Sequence, residues 1–175
     1  MWTHEAVAHG GAAGRFIGDS TLGAGDINTG GKSFGLYANG GGTPTPYAAA
    51  TRKFAKPTLT TGDVLSFKIS MNHRSAGNRG FDLRDAAGKG VFHFDVREGG
   101  YFINGDGGES LGGYDANTVF TFTFTQRERQ VNYSIQRSGG IDFIASGNFD
   151  ADSGSIADDG LERELDRDGA DAAGI

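Results

Sequence analysis

The chain predicts an all-β fold, an antiparallel β-sandwich or jelly roll, on three observations. Apolar and polar residues alternate through the central third. Phe92, Phe94 and Val96 oppose Val91, His93 and Asp95; Phe120, Phe122 and Phe124 oppose Thr121, Thr123 and Thr125; Val131, Tyr133 and Ile135 oppose Asn132, Ser134 and Gln136. A period of two places each set on one face of a strand. Second, about ten such short runs are separated by turn-forming residues at roughly 8–12-residue intervals, the spacing of sandwiches and barrels. Third, glycine is frequent (31 residues) and proline scarce (3), while phenylalanine, at 13, outnumbers the other aromatics. Glycines cluster where turns need positive φ, and phenylalanines suit the space between packed sheets.

The elements follow in order. Weak strand signals fall near Glu5–Ala8 and Arg15–Gly18, and residues 25–31 read as a loop. Lys32–Ala38 predicts a strand, with either Phe34 and Leu36 or Ser33 and Tyr37 facing inward. Asn39–Pro46 is a loop and Tyr47–Phe54 a further strand; Lys56–Asp63 ends in a Thr-Gly-Asp turn before the strand Val64–Met71. Arg79–Asp85, Lys89–Val96 and Gly99–Asn104 predict a three-stranded meander, their separators Ala86–Gly88 and Arg97–Gly99 being of hairpin length. Gly105–Asp115 is a glycine-rich loop. Thr118–Thr125 and Gln130–Arg137 predict a second hairpin, and Gly140–Asn148 a last strand. Residues 1–149 thus form the sandwich domain. Residues 150–175 read as an acidic tail, either disordered or carrying a short helix near 160–167: Asp159 and Glu162 are spaced as an N-cap pair, and Leu161 and Leu165 share a helical face.

Charge and composition exclude several classes. The net charge is −6; residues 150–175 hold nine acids and two bases, net −7, so the sandwich carries only +1. A near-neutral body without a basic stripe argues against a nucleic-acid partner. The absence of cysteine excludes a disulfide scaffold and thiolate metal sites. No run approaches the ~18 apolar residues of a membrane-spanning helix. Met1–Gly14 has neither the cationic start nor the apolar core of a signal peptide.

Three segments carry a resemblance: residues 31–40 (Gly-Lys-Ser-Phe-Gly-Leu-Tyr-Ala-Asn-Gly), 51–54 (Thr-Arg-Lys-Phe) and 59–67 (Leu-Thr-Thr-Gly-Asp-Val-Leu-Ser-Phe). Together they resemble the glycine-rich β-sandwich modules of secreted bacterial proteins, in the style of the jelly-roll and concanavalin-like domains appended to polysaccharide-active enzymes. The resemblance covers roughly residues 14–149 and rests on structural rather than catalytic motifs. It implies a secreted or cell-surface location and carbohydrate binding. The acidic tail departs from it, because such modules close with a final strand.

The residues themselves offer several candidate sites. His93 and Asp95 stand two apart on the polar face of one strand, as do Asp82 and Arg84 on its expected neighbour. If paired, the four make a polar cluster able to orient sugar hydroxyls, with Tyr101 or Tyr114 as the aromatic platform for a sugar ring. The bland reading of the same residues is a solvated face with cross-strand charge pairs. Asp106 and Glu109 in one loop, and Asp26 in another, offer hard oxygen ligands that suit a structural calcium ion; a solvated turn explains them equally. Neither tail Asp-x-Asp sequence continues as an EF-hand. No glutamate-rich strand signature or nucleophile elbow points to catalysis, although Asp82 and Asp95 could sit close enough for a glycosidase pair. The threonine row Thr121–Thr125 is the ordinary outer face of a strand. The functional expectation is a non-catalytic glycan-binding module. The alternatives are a structural subunit that self-associates through strand edges and a small polysaccharide-active enzyme.

Overall fold

The computed structural model describes residues 2–40, 43–56, 58–73, 79–104 and 108–164, the side chains of 158–164 excepted. The chain folds as β1 (Trp2–Val7), β2 (Ala12–Gly18), β3 (Ser33–Asn39), β4 (Tyr47–Lys53), β5 (Val64–Ser70) and β6 (Arg79–Asp85). It continues as β7 (Gly90–Arg97), β8 (Gly100–Ile103), β9 (Val119–Gln126), β10 (Gln130–Ser138), β11 (Phe143–Asp150) and β12 (Ile156–Glu164). A 3₁₀ turn, Ser20–Leu22, is capped by Asp19, whose side chain accepts from the Thr21 N–H. All the strand pairings are antiparallel.

One layer is a six-stranded sheet in the order β1-β4-β12-β6-β7-β8. The other is a four-stranded sheet, β11-β10-β9-β5, with the separate β2-β3 ribbon beside it. The ribbon packs on the β1, β4 and β12 end of the large sheet. The expected meander is β6-β7-β8, and the expected second hairpin is β9-β10. β3 settles its two candidate faces: Leu36 and Ala38 are buried and Phe34 packs partly against the core, so the Phe34 set points inward.

Aromatic rings fill the space between the layers. Phe81 meets Phe122 edge to face at 4.8 Å, Phe92 meets Phe124 at 4.9 Å, and Phe94 meets Phe122 at 5.0 Å. Such offset and T-shaped pairs add about 0.5–1.5 kcal/mol each beyond the burial of their area. On the opposite face of β9, Thr121, Thr123 and Thr125 stand across from Gln136, Ser134 and Asn132. The alternation that predicts the strands therefore also divides core from surface.

Arg137 sits at the end of this core with only 2% of its surface exposed. Its Nη1 donates to the Leu111 carbonyl at 2.5 Å and its Nη2 to the Gly113 carbonyl at 2.7 Å. The guanidinium also lies 5.0 Å from the Tyr101 ring centre. Carbonyl dipoles and ring faces replace the water that a buried cation loses, and the contact ties the loop before β9 to the sandwich.

The tail corrects an expectation. Residues 156–164 are not a helix: they form β12, between β4 and β6. Two aligned edges accept it, with Leu161 opposite Ala50 and Asp159 opposite Leu83. Pairing on both sides satisfies the backbone of a segment whose own helical tendency is short and weak. β11 runs to Asp150, and Ala151 and Ile156 join the core, so the chain past 149 contributes to the sandwich. Residues 165–175 lie outside the described residues.

Truncation after Ser155 removes β12 and leaves the facing edges of β4 and β6 without a partner, splitting the six-stranded sheet into β1-β4 and β6-β7-β8. The shortened chain is expected to lose cooperative unfolding in urea and its near-UV circular dichroism; a full, sharp transition would contradict the central placement of β12. Phe122→Ala, at a fully buried site, is expected to cost about 3–5 kcal/mol in the same titration.

Candidate functional site

The residues expected to cluster on β6 and β7 do so. Asp82 is the cross-strand partner of His93, and His93 Nδ1 donates to Asp82 Oδ1. Arg84 Nη2 donates to Asp82 Oδ2 at 3.4 Å. His93 Nε2 lies 3.7 Å from Asp95 Oδ2, and Arg97 Nε 3.8 Å from Asp95 Oδ1. The result is a line of alternating charges along the outer face of the large sheet. Its groups are engaged with one another. The surface beside it is a shallow depression bounded by Asp82, His93, Val91 and Asn104. The hydrogen bond from Asp82, followed by the nearby carboxylate charges, holds the His93 imidazole above its ordinary pKa of 6.5, against the opposing effect of partial burial.

Neither tyrosine serves this face. Tyr101 is 1% exposed and belongs to the core. It stands opposite Val96, on the Phe94 side of the sheet, and its hydroxyl donates to the Asp115 carbonyl at 2.8 Å. A ring enclosed in this way has no face to offer a sugar, which corrects the expectation for Tyr101. Burial also pushes its hydroxyl above the ordinary tyrosine range. Tyr114 is half-buried, 5.8 Å from Tyr101, and donates to the Met71 carbonyl at 3.2 Å. Both rings fasten loops. Phe102 takes the outward position opposite Asp95 instead, with the Arg97 guanidinium 4.4 Å over its ring.

Of the proposed calcium ligands, Asp106 lies outside the described residues. Asp26 and Glu109 are exposed in separate loops. Asp26 Oδ1 accepts from the Asn28 N–H at 3.0 Å, closing a local turn. Among the described residues, no three His, Asp or Glu side chains converge as a metal site.

A cleft of about 590 Å³ lies elsewhere, where the second layer is split. Its floor is the inner face of the large sheet, represented by Trp2, Arg52 and Phe81. Trp2 and Arg52 are direct cross-strand partners on β1 and β4. One wall is the start of β3, at Ser33 and Phe34; the other is β5, which contributes Leu65 to Ile69 without a gap. A strand face offers only alternate residues. Five consecutive ones mean that the cleft runs along the edge of β5 that, among the described residues, no strand pairs. Unpaired backbone N–H and C=O groups therefore line that wall beside apolar side chains.

Trp2 and Phe34 stack at 5.5 Å with their planes 17° apart, and the Arg52 guanidinium lies 5.7 Å from the Trp2 ring centre. Residues 27–29 close one end of the cleft. Asn28 anchors that loop: its Oδ1 accepts from the Ser20 N–H at 3.0 Å, and its Nδ2 donates to Asp19 at 2.7 Å. Those bonds, led by the Thr21 hydroxyl and then Asn28, draw the Asp19 carboxyl below its ordinary range. The cleft is thus walled by fixed elements before any ligand arrives. Sequence reading missed it because its residues come from positions 2, 34, 52 and 65–69, which only tertiary pairing brings together. The one available signal is that Trp2 is the only tryptophan of the chain.

Comparison with known proteins returns no matching family model, no matching curated protein and no matching solved structure. The fold and the cleft together define an antiparallel β-sandwich with a preformed, aromatic-floored groove.

The His93–Asp82 pair gives a pH signature. A raised folded pKa means that the pair's stabilisation is fully present below about pH 6.5 and is lost as pH rises through the folded value. Urea midpoints measured from pH 5 to 9 are expected to fall more for the native chain than for His93→Gln. Parallel profiles would contradict the pairing.

Proposed function

We propose that this protein is a non-catalytic, carbohydrate-binding β-sandwich of the cell exterior, and that its glycan lies in the cleft between β3 and β5. One observation carries the reading: the stacked Trp2–Phe34 pair at the floor and wall of a groove that also bears hydroxyl and free backbone groups. Sugar rings have an apolar C–H face that packs on aromatic rings and a rim of hydroxyls that needs polar partners. Trp2, Phe34 and Phe67 supply the first; Ser33 and the β5 edge supply the second. Among the described residues, no aromatic side chain on the outer face lines the depression beside His93: Phe102 stands apart from it under the Arg97 guanidinium, so the cleft supports the reading better. The resemblance to secreted sandwich modules points the same way.

Because Trp2 is the sole tryptophan, its emission reports the cleft directly. Titration with a panel of soluble oligosaccharides is expected to quench or shift that emission for the ligands that bind. By calorimetry, Trp2→Ala is expected to weaken binding at least about tenfold, or about 1.4 kcal/mol, while His93→Ala leaves it within about twofold. Binding that depends on His93 and ignores Trp2 would move the site to the outer face.

Self-association is the second reading, favoured by β11. This strand ends the four-stranded sheet with one edge unpaired among the described residues, and Ile144 on it is 72% exposed. Such edges invite pairing with another copy. Sedimentation velocity is expected to show concentration-dependent assembly that Ile144→Lys suppresses; a monomer at all concentrations would remove this reading.

A further inference from the structure

We infer that the cleft selects an acidic glycan, one whose sugar units carry carboxylate or sulfate groups. This deepens the glycan reading and rests on it. The chain is acidic overall, at −6, yet the described residues lining the cleft include Lys32, Arg52 and Lys68 and no carboxylate. The three cations come from three different elements. Lys32 precedes β3, Arg52 is on the β4 floor, and Lys68 is on the β5 edge. All three are exposed, so their charges reach the mouth of the groove and not the core.

Their arrangement suits a polyanion lying along the groove. Lys32 and Lys68 stand on opposite walls, and Arg52 lies between them against the Trp2 ring. A sugar ring stacked on Trp2 and Phe34 would present its acidic substituents to a cation on either side. Arginine over an aromatic ring also keeps its planar fork oriented for a carboxylate or sulfate. Charged side chains of one sign among the described residues of a groove focus its field on the matching ligand and disfavour like charge. Asp159 occupies the register position opposite Arg52, so the two wall lysines give the cleaner test.

The experiment uses the full chain and three hexasaccharides of equal length: a galacturonate, a sulfated galactan and a neutral glucan. Trp2 emission is followed at low and at 0.3 M salt. The acidic oligomers are expected to bind at least tenfold tighter than the neutral one, with an affinity that falls as salt rises. Tighter binding of the galacturonate would assign carboxylate, and of the sulfated galactan, sulfate. Lys32→Gln/Lys68→Gln is expected to lose most of that preference while keeping the native melting curve, whereas Lys89→Gln, in the β6–β7 turn, keeps the preference. Equal affinity for neutral and acidic oligomers would overturn the acidic assignment and leave the glycan reading standing. Polyglutamate binding as tightly as the sugar acids would overturn it in favour of unspecific charge attraction. Failure of all three oligosaccharides to perturb Trp2 would overturn both.

Discussion

The aromatic seam between the two layers is the constraint on which the other features depend. Phe81 on the large sheet meets Phe67 at 4.9 Å and Phe122 at 4.8 Å, both nearly perpendicular, so one ring links three strands from two sheets. Rings in this geometry set both the spacing of the layers and the register that presents them. The seam is longest across β6, β7, β9 and β10. It gives way at the β1–β4 end, where the second layer is no longer a continuous sheet and the β2–β3 ribbon takes over with the smaller contacts of Leu36, Ala38, Ala48 and Ala50. The cleft lies at that change of packing. Its floor is core-type surface left uncovered, which is why rings as large as Trp2 and Phe34 meet there.

Much of this architecture was legible in the sequence because period two is a local signal. The meander, the β9–β10 hairpin and the inward phenylalanines all follow from residues no more than a few positions apart. Non-local information was not legible. β12 reads as an acidic, weakly helical tail, since nothing within residues 156–164 announces that β4 and β6 leave a vacant strand position between them. Tertiary pairing overrides a marginal helical preference when it satisfies a whole row of backbone groups.

Tyr101 shows how a small register difference misplaces a site. A three-residue loop over Arg97–Gly99 would set Tyr101 opposite Asp95, on the polar face. The hairpin is tighter: Arg97 pairs with Gly100 and Val96 with Tyr101. Gly99 and Gly100 allow it, with φ of 97° and 137°, and a Cβ on Gly100 would come within 2.2 Å of the Gly112 carbonyl oxygen. One residue of slip turns every side chain of β8 over, placing Tyr101 in the core and Phe102 outside. The Asp82–Arg84–His93–Asp95 cluster did not depend on that hairpin, and it forms as the alternation implies. It forms as a row of mutually paired charges, however, whereas the open aromatic groove depends on four distant segments and left almost no trace in the sequence.

The proposed binding surface is the split in the second layer. Amide chemical-shift mapping with a bound oligosaccharide tests it most directly, because one spectrum reports both faces. Perturbations are expected to concentrate at Trp2, Ser33, Phe34 and Leu65 to Ile69, with Asp82, His93 and Asp95 unmoved. Perturbations centred on β6 and β7, with the β5 edge silent, would contradict it.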